Sequence, residues 1–205
     1  MQYRPRILLM GDSIRLSYQP LVMEQMKDRA EIVGPNENGR WAGFTLTQLP
    51  TWLEELGEPD IVHWNNGIWD SGYWPERTPI QIPIENYIDD LCQVLTRLRV
   101  VSNHVIWATT TPIHPDKRDH GDGWRWNLSE TKLYNAAAQD LMTGEGVPIN
   151  DLNAVVQKHL DENLADDLLH LSEIGRRRCA QTVVSTLDQI IGTMGYLQKG
   201  TDHEL

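Results

Sequence analysis

Phenylalanine is almost missing from this chain: one residue in 205, beside eight tryptophans and six tyrosines. Cysteine is scarce as well, with Cys92 and Cys179 alone. Two cysteines cannot staple a disulfide-dense scaffold. Both fall in helical patterns, which reads as buried thiols in a reducing cytoplasm. Basic residues are outnumbered, with 18 Lys and Arg against 29 Asp and Glu, a formal charge of −11. Phosphate neutralisation needs a basic face, so nucleic acid is excluded as the main partner. The same balance argues against an anionic membrane surface, and the simplest reading of the acidity is solubility. No apolar stretch is long enough for a signal peptide or a membrane span. Asp202-His203-Glu204-Leu205 has the composition of an endoplasmic-reticulum retrieval signal in the wrong order.

Several motifs are absent too. No Gly-x-Ser-x-Gly occurs, which excludes the nucleophile elbow of the α/β-hydrolases. No glycine-rich phosphate loop occurs, because Gly11-Asp12-Ser13 lacks the further glycines and the lysine. His114, Asp116, Asp119, His120 and Asp122 match no ligand spacing, so they read as a solvated charged loop and no metal or other cofactor is expected. No repeat and no low-complexity segment is present.

What is there is an alternation. Forty per cent hydrophobic residues suffices for a core, and the length predicts one domain over 1–205, with a core at about 6–191 and a polar tail at 192–205. Apolar runs predict strands at 6–10, 31–34, 60–64, 104–109 and 147–150. Periodicity predicts helices at 19–29, 45–56, 84–100, 129–142, 152–160 and from a Ser172 cap to about 191, with Ser129 capping the fourth. Apolar strands alternating with helices predict a five-stranded parallel sheet covered on both faces. Ligands then bind at the carboxyl ends of the strands. The loops 65–83 and 110–127 lie on that face, and loops this long tend to be functional.

Gly11-Asp12-Ser13 closes the first apolar run, Ile7-Leu8-Leu9-Met10, and Asp167-Leu168-Leu169-His170 precedes the last helix. By average composition the tripeptide arises by chance in roughly one chain in twenty of this length. Its weight comes from the pairing with the second motif, each at its place in the alternation. A serine hydroxyl is a poor nucleophile until a base takes its proton, and the base needs a third group to set its tautomer. His170 suits the base and Asp167 the orienter, since an Asp side chain can fold back onto a ring three residues on. The transition state also needs N–H donors for its oxyanion. Ser13 N–H, a glycine of the second loop and a side-chain amide of the third are candidates. Each half taken alone has a plainer reading: Asp12 or Ser13 as a helix N-cap, and Asp166, Asp167 and His170 as a solvated loop.

Taken together, these motifs resemble the SGNH (GDSL-type) hydrolase superfamily over residues 6–190. Ile7–Ser13 looks like its block I and Asp167–His170 like its block V. The stretch 36–43 (Asn-Glu-Asn-Gly-Arg-Trp-Ala-Gly) sits where block II supplies a glycine N–H, and 60–70 sits where block III reads Gly-x-Asn-Asp. The resemblance implies a three-layer α/β/α sandwich of flavodoxin type, strand order 2-1-3-4-5. It also implies a Ser13-His170-Asp167 triad and an oxyanion hole of Ser13 N–H, Gly43 N–H and an asparagine amide. One departure stands out. The block III frame puts Trp69 where that asparagine belongs, and indole cannot replace the amide, so Asn65 or Asn66 is expected to supply it.

Trp41, Trp69, Trp74, Trp124 and Trp126 fall in the active-face loops, whereas Trp52, Trp64 and Trp107 fall in elements. Flat rings with a polar edge suit a sugar face, and they suit loop anchoring equally. Trp41, Trp69, Trp124, Trp126 and Asp12 are the candidate substrate contacts. The expected activity is removal of a short acyl group, acetyl, from a carbohydrate or similar alcohol by a cofactor-free serine esterase. The partner is then a small-molecule ester, with neither nucleic acid nor membrane, and a homo-oligomer is left open. Two rivals are a lysophospholipase or thioesterase on the same triad, and a catalytically silent carbohydrate-binding or scaffold protein.

Overall fold

A computed structural model describes residues 3–74, 81–117 and 123–201. Strand β1 (Arg6–Met10) runs into α1 (Ser13–Met26), then come β2 (Glu31–Val33), α2 (Ala42–Leu56) and β3 (Ile61–Trp64). A two-residue β4 (Gly72–Tyr73), α3 (Ile84–Val101), β5 (His104–Ala108) and a two-residue β6 (Arg125–Trp126) follow. The chain ends with α4 (Leu128–Gly144), β7 (Ile149–Asn150), α5 (Leu152–Gln157), α6 (Leu160–Asn163) and α7 (Glu173–Thr201).

The five main strands form one parallel sheet in the order β2-β1-β3-β5-β7, which is 2-1-3-4-5 among these five and agrees with the sequence expectation. Alternation along β1 shows why the sheet needs two covers. Ile7 and Leu9 join a cluster with Ile14, Tyr18 and Val22 of α1 and Val183 and Leu187 of α7. Leu8 and Met10 join the opposite cluster with Leu49 and Trp52 of α2, Leu91 and Leu95 of α3 and Tyr134 of α4. The apolar strand residues point at apolar partners on one face or the other, so the strands read as largely apolar runs, with His63 on β3 and Asn150 on β7 paired to each other at 2.9 Å as a buried polar exception. Trp64 and Trp107, paired in register on β3 and β5, meet edge to face at 4.8 Å.

Several boundaries differ from the sequence reading, each for a local reason. Helix α1 starts at Ser13 rather than 19, and α2 at Ala42 rather than 45, although Pro20 and Pro50 lie inside them. Proline removes one helical bond. At Pro50 the freed Leu46 carbonyl accepts from the Arg97 guanidinium at 3.1 Å instead. Asn127, not Ser129, caps α4: its side chain accepts from Ser129 N–H at 3.0 Å. The helix expected over 152–160 ends at Gln157, and the short α6 follows from Leu160. Ser172 does cap the last helix, accepting from Gly175 N–H at 3.1 Å. That helix continues through Thr201, so the expected polar tail is helical over most of its length. Among the described residues no helix is long and apolar enough to cross a membrane.

Candidate active site

The carboxyl end of β1 passes through Gly11 into α1. Gly11 has a φ of 153°, and a Cβ there would press on the Arg15 Cβ at 3.0 Å, so the turn depends on glycine. Asp12 is the N-cap of α1, its carboxylate accepting from Ile14 N–H at 2.8 Å. It is 1% exposed, and burial pushes its pKa up against the pull of the Ile14 bond and the Arg15 charge. The expectation of Asp12 as a substrate contact is therefore corrected: the carboxylate is turned inward and engaged in the cap. Ser13 follows at the first helical position, half-buried, and among the described residues its N–H meets no acceptor.

The partner segment lies between α6 and α7. An isolated bridge joins Leu164 to Leu171, while Ala165 N–H bonds His170 O at 2.8 Å and Leu168 N–H bonds Ala165 O at 2.8 Å. The turn folds Asp167 back onto His170. Oδ2 lies 2.5 Å from His170 Nδ1, and Oδ1 accepts from Leu169 N–H at 3.0 Å and His170 N–H at 2.9 Å. Burial alone raises the Asp167 pKa. The bonds from the His170 ring and from these two N–H groups outweigh it and hold the carboxyl below the usual range. Asp166 beside it is exposed and makes no bond to the ring. His170 Nε2 then meets Ser13 Oγ at 3.0 Å. With ionised Asp167 at Nδ1, the neutral ring carries its proton on that nitrogen and offers the Nε2 lone pair to the serine. The three expected triad residues are thus brought into one chain of contacts from 157 residues apart.

The loop from β2 to α2 packs on the same turn. Gly39 N–H bonds Gly11 O at 2.9 Å, and a Cβ on Gly39 would meet that oxygen at 2.7 Å. Gly43 sits in the first turn of α2 rather than in the loop. Ala42 N–H donates to Asp70 at 2.8 Å, and among the described residues the Gly43 N–H has no acceptor. Ser13 and Gly43 therefore each present an unpaired N–H at a helix start, where the helix dipole favours negative charge.

The two asparagines separate. Asn66 is fully buried; its amide donates to Arg40 O at 3.0 Å and Thr45 Oγ1 at 3.1 Å, and it accepts from Trp64 Nε1 at 2.6 Å. It has no donor left, which corrects its place among the oxyanion candidates. Asn65 lies against Gly11, with one firm bond to Ala108 O at 2.8 Å and a stretched one to Thr110 Oγ1 at 3.5 Å.

No family model matches the sequence, and no curated protein matches it. Solved structures do. An acetyl xylan esterase, AlAXEase, superposes with a TM-score of 0.66 at 22% identity, covering 88% of this chain and 98% of its own. A lipase/acylhydrolase from Enterococcus faecalis gives 0.73 at 20% identity, covering 90% and 95%. A GDSL-like lipase from Bacteroides thetaiotaomicron gives 0.63 at 14% identity, covering 93% and 89%. The chain has the SGNH hydrolase fold.

Within this SGNH fold the tryptophans form a structure of their own. Trp69 and Trp74 both meet Trp124 edge-on, at 5.4 and 6.0 Å between centroids. Trp126 Nε1 donates to Ile68 O at 2.6 Å, and β4 pairs antiparallel with β6. Trp69 and Trp126 also pack on Ile68, Ile113 and Leu169, the last being the neighbour of His170. Trp124 and Trp126 thus fasten the two long loops to each other. Trp41 is the α2 N-cap and tilts against Phe44 at 5.6 Å.

Sequence reasoning missed the braces of the site. His114 N–H bonds Leu168 O at 3.0 Å, and the His114 ring faces Asp161 at 2.8 Å. Lys117 Nζ donates to Asp167 O at 2.8 Å. His114 and Lys117 lie in the loop read as solvated and charged, and no spacing rule signals them. Asp119, His120 and Asp122 of the imagined metal cluster lie outside the described residues, and among the described residues no three His, Cys, Asp or Glu side chains could share a metal.

Proposed function

We propose that this chain is a serine hydrolase of carboxylic esters, and within that class an esterase removing acetyl or a similarly short acyl group from a carbohydrate. The observation that carries the reading is the line of contacts Ser13 Oγ–His170 Nε2 at 3.0 Å and His170 Nδ1–Asp167 Oδ2 at 2.5 Å. Ser13 Oγ attacks the ester carbonyl and its proton passes to His170 Nε2. The carbonyl oxygen gains the negative charge and is held by Ser13 N–H, Gly43 N–H and the loosely bound Asn65 amide. His170 then returns the proton to the departing alcohol, leaving acyl-Ser13. Water repeats the sequence, and its attack releases the acid. Asp167 holds the ring and stabilises its charged form throughout.

Acyl length follows from the lining. Each CH₂ of a long chain must be buried to gain about 0.8 kcal/mol, which calls for an aliphatic groove. The loops over this site carry tryptophan, arginine, asparagine and histidine instead. Trp41, beside Gly43, is the ring we assign to the sugar; the acetyl xylan esterase among the similar structures agrees with such a substrate. A small-molecule ester is the proposed partner, and the two free thiols agree with the cytoplasm.

The test is a fluorophosphonate probe followed by an ester series. Wild type should be labelled and Ser13→Ala should not, with a loss of kcat of roughly 10³-fold or more. A labelled Ser13→Ala, or one keeping a tenth of the rate, removes Ser13 as nucleophile; an unlabelled wild type favours the silent binding protein. Across acetyl, butyryl, octanoyl and palmitoyl esters, kcat/KM should fall. A rise toward octanoyl or palmitoyl moves the assignment to the lysophospholipase or thioesterase rival.

A further inference from the structure

Two residues after the nucleophile stands an arginine with 1% of its surface exposed. A buried guanidinium is costly unless its donors are met. Among the described residues the Arg15 Nε–H has no partner, and the two terminal nitrogens meet mainly backbone carbonyls rather than a carboxylate. Nη1 donates to Pro35 O at 2.8 Å and to Gln19 Oε1 at 2.8 Å. Nη2 donates to Glu37 O at 2.9 Å and to Gly11 O at 3.3 Å. One planar group therefore holds three carbonyls, one in the nucleophile turn and two in the loop that leads to α2.

Nearer α2 that loop is held by Thr45 Oγ1, which donates to Gly39 O at 2.9 Å, and by the Asn66 amide, which donates to Arg40 O at 3.0 Å. It has one further backbone bond to the turn, Gly39 N–H to Gly11 O, and the Glu37 side chain accepts from Trp52 Nε1 at 2.9 Å. Only the first of these joins the same two segments as Arg15; the second ties the loop to α2. Six residues beyond Glu37 is Gly43. We propose that Arg15 is a positioning residue: by tying 35–37 to Gly11 it sets the separation of the two helix starts. It thereby places the Ser13 and Gly43 N–H groups together on the oxyanion. This inference rests on the esterase reading. Lysine cannot substitute, because an ammonium is a point charge without the planar fork that reaches two segments at once. Donors misplaced by about 1 Å lose on the order of 10²-fold in rate, and the loss falls on the transition state rather than on substrate binding.

The experiment uses the full chain with Arg15→Lys and, as the milder variant, Gln19→Ala, which removes one acceptor from the guanidinium. Rates on a short acetyl ester are referred to the folded fraction by circular dichroism, and exchange of the 36–43 amides is followed by mass spectrometry. Arg15→Lys should lose roughly 10- to 100-fold in kcat with KM within about threefold of wild type, and exchange in 36–43 should quicken. Gln19→Ala should shift the same two quantities in the same direction by less. A role in stability alone predicts a lower melting temperature with kcat per folded molecule unchanged, and that result overturns the proposal. Unchanged exchange in Arg15→Lys overturns it as well. Should wild type turn over no ester, the esterase reading falls, and the exchange rates alone decide whether Arg15 ties the two segments.

Discussion

Ser13 and His170, the proposed nucleophile and base, are held by supports of opposite kind. Gly11, Asp12, Ile14 and Arg15 around Ser13 are all buried, and their bonds run into the core or across to the loop after β2. His170 and Asp167, by contrast, have side chains 45% and 47% exposed, on a strap whose internal bonds span three to five residues. The first support is made by the sheet, and damage to it should cost folding as well as rate. The second is a local turn laid over the surface, so damage there should cost rate alone. Both routes reach an ordered geometry, one by burial and long-range packing, the other by closely spaced hydrogen bonds with two braces from His114 and Lys117.

The largest test of that contrast is His170→Ala. It should lower kcat about as far as loss of the serine, roughly 10³-fold or more, and the double variant with Ser13→Ala should be little worse, because the two act as one unit. The melting temperature should stay within a few degrees of wild type, since the ring is half exposed. A large drop in melting temperature would show that the strap is part of the core after all.

The foundations contain fully buried ionisable groups, whereas those of the strap are half exposed, and the buried ones should appear in pH-dependent stability. Asp70 is fully buried under the start of α2, and burial pushes its pKa up to about 7 despite the Ala42 N–H bond. The folded state thus keeps a proton that the unfolded chain has already released, and stability falls as pH rises from near 4 through 7. His63, buried on β3, goes the other way: burial lowers it to about 4. Its contribution is present above the ordinary histidine range and is lost as pH falls toward 4. The two oppose each other in mildly acid solution, and Asp70 dominates from about 6.5 upward. Asp70→Asn keeps an acceptor for Ala42 and removes the titration. From pH 6 to 8 the urea midpoint should fall for wild type and rise for Asp70→Asn, where only the His63 contribution remains. Parallel curves would mean that Asp70 is ionised at both values.

These contrasts also mark how much was legible beforehand. The sheet, its order and the three residues Ser13, Asp167 and His170 could be read because apolar strands and short motifs are local in sequence. The starts of α1 and α2 could not. The first turn of α1 mixes apolar and polar residues without a stripe, and the carbonyl that Pro50 frees in α2 is met by a guanidinium 47 positions beyond that proline. The choice between Asn65 and Asn66 needed their hydrogen-bond partners, which lie on three other segments. Nothing in the sequence singled out Arg15, since its acceptors are mostly backbone carbonyls and leave no trace in residue identity. The pairing of β4 with β6 involves two residues a side, too few for any periodicity.

The smallest expected effect concerns the strap's own backbone. Leu168 has a φ of 63°, the left-handed region that costs an L-residue roughly 1–2 kcal/mol. It is held there between the Leu168 N–H bond to Ala165 O and the His114 N–H bond to Leu168 O. If backbone bonds shape this strap, replacing Leu168 by glycine removes the strain at a similar cost in unfolded-chain entropy, so the two nearly cancel. Leu168→Gly should then keep kcat within about threefold and stability within about 1 kcal/mol. Leu168→Val keeps more apolar bulk, yet β-branching makes the left-handed region harder to occupy. It should displace Asp167 from the His170 ring and lose on the order of tenfold in kcat. The order of the two variants is the diagnostic. Valine closer to wild type than glycine would mean that side-chain packing, not the backbone, sets the turn, and the strap would then be built like the nucleophile side rather than opposite to it.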